Sequence, residues 1–100
     1  MYHFIFDALP TSENPKFGTY GGATVGCWVQ RETQREAESV ARAWIGDQHW
    51  TITSLEEASI ITRDTQLPAG LQYFEQAETD GEVFIFYTSP IGAHDDTNVA

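Results

Sequence analysis

Asp80-Gly81-Glu82-Val83-Phe84-Ile85-Phe86-Tyr87-Thr88 is the stretch on which the fold turns. An Asp-Gly turn signal opens it. From Val83 to Tyr87 the residues are all apolar and all β-branched or aromatic. A short apolar run bounded by turn residues is the pattern of a strand covered on both faces. The pattern predicts that this segment is the central strand of a sheet and that the other segments supply its cover.

The helix signals lie upstream. Leu71 to Thr79, with Pro68 as an alternative first residue, predicts a helix that Gly81 ends. Its apolar stripe is Leu67, Leu71, Phe74 and Ala77 or Glu78. A stronger helix starts at Thr33, where Thr33-Gln34-Arg35-Glu36 has the form of a capping box. Ala37, Val40, Ala41 and Trp44 follow at the spacing of a core-facing stripe. Glu38 and Arg42 are placed to pair on its outer side, and Gly46 is the expected terminator.

Three further strands are predicted. Tyr2 to Asp7 puts Tyr2, Phe4 and Phe6 on one face. Ala23 to Val29 puts Ala23, Val25, Cys27 and Val29 on one face and Thr24, Gly26 and Trp28 on the other. His49 to Leu55 is rich in β-branched residues and runs on through Ala58 to Thr62, with an irregularity near Glu56-Glu57. Leu9 to Gly22 is a turn-rich connection too long for a tight hairpin.

The order is therefore β-β-α-β-α-β: one α+β domain over residues 1–90, with a frayed tail over 91–100. Four strands with two helices on one face is the economical packing. It leaves the other sheet face bare, with Trp28 or Phe84 on it. An exposed apolar face marks a partner site, so a homodimer through that face is expected.

The residues from the first helix onward resemble a group of small bacterial α+β proteins with a ferredoxin-like layout. The resemblance rests on Ala37, Ala41 and Trp44 ahead of Trp50, on Leu55-Glu56-Glu57-Ala58, on Tyr73-Phe74-Glu75-Gln76-Ala77 and on Asp80-Gly81-Glu82-Val83-Phe84. It covers residues 35–88. Members of the group often carry Gly-Trp where this chain has His49-Trp50. No activity is assigned to the group, so the resemblance implies a ferredoxin-like fold and no catalytic, cofactor or metal residue.

Charge narrows the partner class. The formal net charge is −10. Residues 1–63 carry −3, whereas Asp64, Glu75, Glu78, Asp80, Glu82, Asp95 and Asp96 give the remainder −7 without a single Lys or Arg. Such a chain repels nucleic acid and anionic membrane surfaces and attracts a basic protein; the alternative reading of the same charge is solubility alone. The single cysteine, Cys27, excludes an internal disulfide and suits a reducing, cytoplasmic setting. Tyr2 to Phe6 is too short an apolar run, and lacks the basic flank, for a signal peptide.

Chemistry finds few footholds. Cys27 on an apolar strand face reads as a small core residue rather than a nucleophile. Gly18-Thr19-Tyr20-Gly21-Gly22 lacks the Gly-Lys-Ser/Thr ending of a phosphate loop; it reads as a flexible connection, which Lys16, Phe17 and Tyr20 make the expected mobile contact surface. His94-Asp95-Asp96 reads as solvated tail, since consecutive ligands make a poor preformed metal site. Glu75 and Glu78 share one helix side and read as acidic surface or as the acidic side of an interface. His3 alternates with aromatic residues and reads as a hydrogen-bonded structural group. No catalytic, cofactor or metal residue is expected.

The leading expectation is a small acidic interaction module, inhibitor- or immunity-like, for a basic partner. One rival is a ligand-binding or enzymatic domain, with a pocket between the 10–22 loop and the sheet lined by Tyr20, Trp28, His3 and His49. The other is a structural subunit of a larger assembly.

Overall fold

A computed structural model describes residues 1–90; the predicted tail, including His94-Asp95-Asp96, lies outside the described residues. The elements are β1 (Tyr2–Pro10), β2 (Tyr20–Val29), α1 (Gln34–Asp47), β3 (Trp50–Ile60), a short 3-10 turn (Arg63–Thr65), α2 (Pro68–Asp80) and β4 (Glu82–Pro90). The α+β class and the element order are as expected. The four strands form one sheet in the order β3-β1-β2-β4, and every neighbouring pair is antiparallel.

Local chemistry sets the element ends. At α1, Thr33 accepts a hydrogen bond from the Glu36 N–H at 3.2 Å, the first half of the expected box. Gly46 does not terminate this helix, which runs on to Asp47 and is capped at Gln48. The left-handed residue beyond it is His49, at φ 65°. His49 thus belongs to the turn, and β3 opens at Trp50. At α2, Pro68 occupies the first turn, and Gly81 supplies the left-handed backbone (φ 93°) that turns the chain into β4.

Two expectations about packing are overturned. The central strands are β1 and β2; β4 pairs with β2 alone and forms a rim of the sheet. The helices also lie on opposite faces. Ala37, Ala41 and Ile45 of α1 are fully buried against Phe4, Phe6, Val25, Cys27 and Val29. Phe74 and Ala77 of α2 pack with Trp28, and Val83 and Ile85 lie against that cluster. Trp28 alternates with Cys27 and Val29 along β2, so the two clusters occupy the two faces. The reason is the pair of crossovers. Helix α1 carries the chain from β2 past β1 to β3, and α2 carries it back from the β3 rim to a place beside β2. A ferredoxin-like arrangement with both helices on one face does not form, and no wholly bare apolar face remains.

The larger core lies between α1 and the sheet. Phe4, Phe6, Val25, Val29 and Ile45 are fully buried there, each worth about 1.5–3 kcal/mol of burial. Trp44 stacks on Phe84 with centroids 4.3 Å apart, and Trp50 lies 5.4 Å from Phe86. Leu67, predicted on the α2 stripe, is instead 77% exposed. It precedes the helix, and α2 is seated by Phe74 and Ala77 on one side, with Tyr73 packed against the same cluster.

Candidate interaction surfaces

The two rims of the sheet are built differently. On β3, Thr53 and Glu56 are extra residues in the pairing with β1, which shifts register at two places. Such bulges, together with exposed Glu56 and Glu57, blunt a strand edge against further pairing. The irregularity expected near Glu56-Glu57 is the second of these bulges. On β4 the pairing with β2 is unbroken from Val29↔Glu82 to Ala23↔Thr88. The Gln30 N–H donates to the Gly81 carbonyl at 2.8 Å. Antiparallel geometry then turns the backbone groups of Val83, Ile85 and Tyr87 toward β2, and those of Glu82, Phe84, Phe86 and Thr88 outward. Among the described residues these outward groups have no partner.

Acid surrounds the start of this rim. Glu78 and Asp80 are exposed on the last turn of α2, which carries no base. Arg31 holds the entry to β4: its guanidinium donates to the Gly81 carbonyl at 3.2 Å and to the Glu82 carboxylate at 2.9 Å.

The residues singled out from sequence do not converge. Phe84 and Trp28 sit on opposite faces, Phe84 under Trp44 and Trp28 under α2. Glu75 and Glu78 are brought together, but by Arg63, which donates to them at 3.0 and 2.9 Å on an exposed surface. They close the 3-10 turn onto α2. Cys27 is fully buried, and burial pushes its thiol up to about 12, so it is no nucleophile.

His3 and Trp28 do meet, edge to face at 4.7 Å, and Tyr73 of α2 continues the cluster at 4.9 Å from Trp28. Burial holds the His3 imidazole below the usual histidine range, against the pull of Glu57, whose carboxylate lies 3.6 Å from Nδ1. The close approach of Trp28 depends on Gly26, where a Cβ would lie 3.2 Å from the indole ring. Trp28 Nε1 is buried without a hydrogen-bond partner.

The connection from β1 to β2 is pinned rather than loose. The Thr11 N–H donates to the His49 carbonyl at 3.0 Å. Buried Asn14 donates to the Gln48 and His49 carbonyls at 3.2 and 3.1 Å, and its Oδ1 accepts the Lys16 N–H at 2.8 Å. The connection therefore grips the α1–β3 turn, and His49 serves through its carbonyl. Beyond it, Leu9, Pro10, Phe17 and Tyr20 line a shallow cleft of about 450 Å³. Of the four residues expected to line a pocket here only Tyr20 does so; Trp28, His3 and His49 lie elsewhere.

Asn14, Arg31 and Leu9 were not singled out from sequence, whereas Phe17 and Tyr20 were expected on a contact surface and do line the cleft. Asn14-Pro15 is a turn signal, but nothing local shows that its amide reaches a distant helix end. Among the described residues no helix is long and apolar enough to cross a membrane, and no cluster of three His, Cys, Asp or Glu has metal-binding geometry. Comparison with family models, with curated proteins and with solved structures finds no match.

Proposed function

We propose that this chain is a small acidic interaction module that works by contact with a basic protein partner, in the manner of an inhibitor or immunity protein. The observation that carries this reading is the separation of charge. Asp64, Glu75, Glu78 and Asp80 are exposed, and no Lys or Arg follows Arg63. That excess of acid, with Glu75 and Glu78 bridged by Arg63 and the rest unbalanced in sequence, raises encounter rates with a cation and disfavours anionic partners. The lone thiol is buried and inert, which favours binding over thiol chemistry.

Titration against a panel of basic and acidic proteins, at low and raised ionic strength, tests it. Binding confined to basic members and weakened by salt is expected. Equal binding of acidic members, or indifference to salt, would remove the reading. Small-molecule binding in the cleft of Leu9, Phe17 and Tyr20 is the second reading, favoured by the exposure of Leu9 (48%) and Phe17 (57%). Its lining is largely apolar and lacks the convergent polar groups that fix a ligand's orientation.

A further inference from the structure

We infer that the outer rim of β4 is the docking site and that its occupant is an extended, basic segment of the partner, added to the sheet as a fifth strand. The inference rests on the proposed basic partner and adds where and how it binds. The outward N–H and C=O groups of Phe84, Phe86 and Thr88 form a strand template without a partner among the described residues. A chain that pairs there satisfies them through its own backbone. The opposite rim is unsuited, because bulges at Thr53 and Glu56 interrupt it.

The rim also offers side-chain contacts. Phe84 and Phe86 are only half-buried beside Trp44 on one face, and Tyr87 is 54% exposed on the other. A fifth strand alternating apolar and basic residues would lay its apolar set along Phe84 and Phe86. Its basic set would meet a molecule of charge −10, with Asp80 exposed beside the start of the rim and Glu82 held by Arg31. A second copy fits the same hydrogen bonds but brings a charge of −10 with it. Charge complementarity therefore selects a cationic strand over self-pairing.

The probe is a synthetic peptide of about eight residues alternating Lys and Val, long enough to span a typical strand. Its affinity for the full chain and amide exchange along β4 are measured together. Comparison peptides carry alternate backbone N-methyl groups, or Glu in place of Lys. A Thr88→Pro variant removes one outward N–H and leaves the ladder to β2 intact.

The Lys–Val peptide is expected to bind and to slow exchange at Phe84, Phe86 and Thr88. Thr88→Pro or N-methylation is expected to weaken it about tenfold, as loss of edge hydrogen bonds implies, and the Glu–Val peptide is expected not to bind. Binding unaffected by both Thr88→Pro and N-methylation overturns the rim as the site while sparing the basic partner. Failure of the Lys–Val peptide to bind, or equal binding of the Glu–Val peptide, overturns the inference. Slowed exchange at the three amides that depends on protein concentration alone assigns the rim to a second copy and also overturns it.

Discussion

Trp28 tests the packing residue by residue. Its ring joins β2 to α2 through Tyr73 and is seated on Gly26, yet its Nε1 is buried without a partner. Trp28→Ala should cost about 3–5 kcal/mol in chemical denaturation, the range for a large core aromatic. Trp28→Phe should stay within about 1 kcal/mol of the parent, because losing an unpaired buried donor offsets the smaller ring. Equal losses for the two variants would show that the indole N–H is satisfied after all. His3 is the second test. Burial holds its folded pKa below the ordinary histidine value of 6.5. The neutral form is therefore the one the fold prefers: its contribution is complete above the unfolded pKa and declines as pH falls through it. Stability followed from pH 8 to pH 5 should drop more steeply for the parent than for His3→Phe. A parent curve that runs parallel to the variant would contradict the burial of a neutral imidazole. The place of His3 on a strand was legible; its cover by Trp28 was not, since alternation with Tyr2 and Phe4 puts it on the other face of β1. The identity of Glu57 as its neighbour was not, since pairing register between β1 and β3 carries two shifts that no local pattern displays.

Elements were legible where one signal sufficed. Thr33 with the Ala37, Ala41 stripe places α1, and Asp80-Gly81 places the passage from α2 to β4. The run from Val83 to Tyr87 implies two-sided cover, and the cover is partial: Phe84 and Phe86 face Trp44 and Trp50 and Val83 and Ile85 face α2, while Tyr87 is exposed. What the run does not encode is its neighbours along the hydrogen-bonding direction. Side chains point above and below a sheet, so hydropathy reports faces and is silent about rims. The inference from covered to central was therefore wrong for β4. The connection between β1 and β2 failed for a related reason: its Gly and Pro content shows turns but not the grip of Asn14 on the α1–β3 turn. Asn14→Ala should cost about 2 kcal/mol, since one amide serves three backbone groups. The amides of Thr11 and Lys16 should lose hydrogen-exchange protection with it, while those of β1 and β2 keep theirs. Unchanged protection at Lys16 would mean that the turn is held by other contacts.

For the whole molecule, the charge distribution was readable at once and the topology was not. Residues 64–90 carry no cation of their own; the fold brings Arg63 to Glu75 and Glu78 and Arg31 to Glu82, and leaves Asp80 exposed at the end of α2. The crossover of α2 on the face opposite α1 removes the bare apolar face once expected to join two copies and leaves an open rim instead. The part of the α2 face that the helix does not cover is mixed: the Thr24 and Ser54 hydroxyls lie 3.3 and 3.5 Å from the Asp7 carboxylate, and Tyr87 and Leu9 are exposed beside them. On the proposed reading, association belongs to a rim rather than a face, and its chemistry is backbone pairing steered by charge. Residue-resolved amide exchange of the isolated chain tests that claim most directly. With β4 at the rim, Val83, Ile85 and Tyr87 should be protected and Phe84, Phe86 and Thr88 should exchange freely, in strict alternation. Protection of all six would place a strand on both sides of β4 and contradict the account.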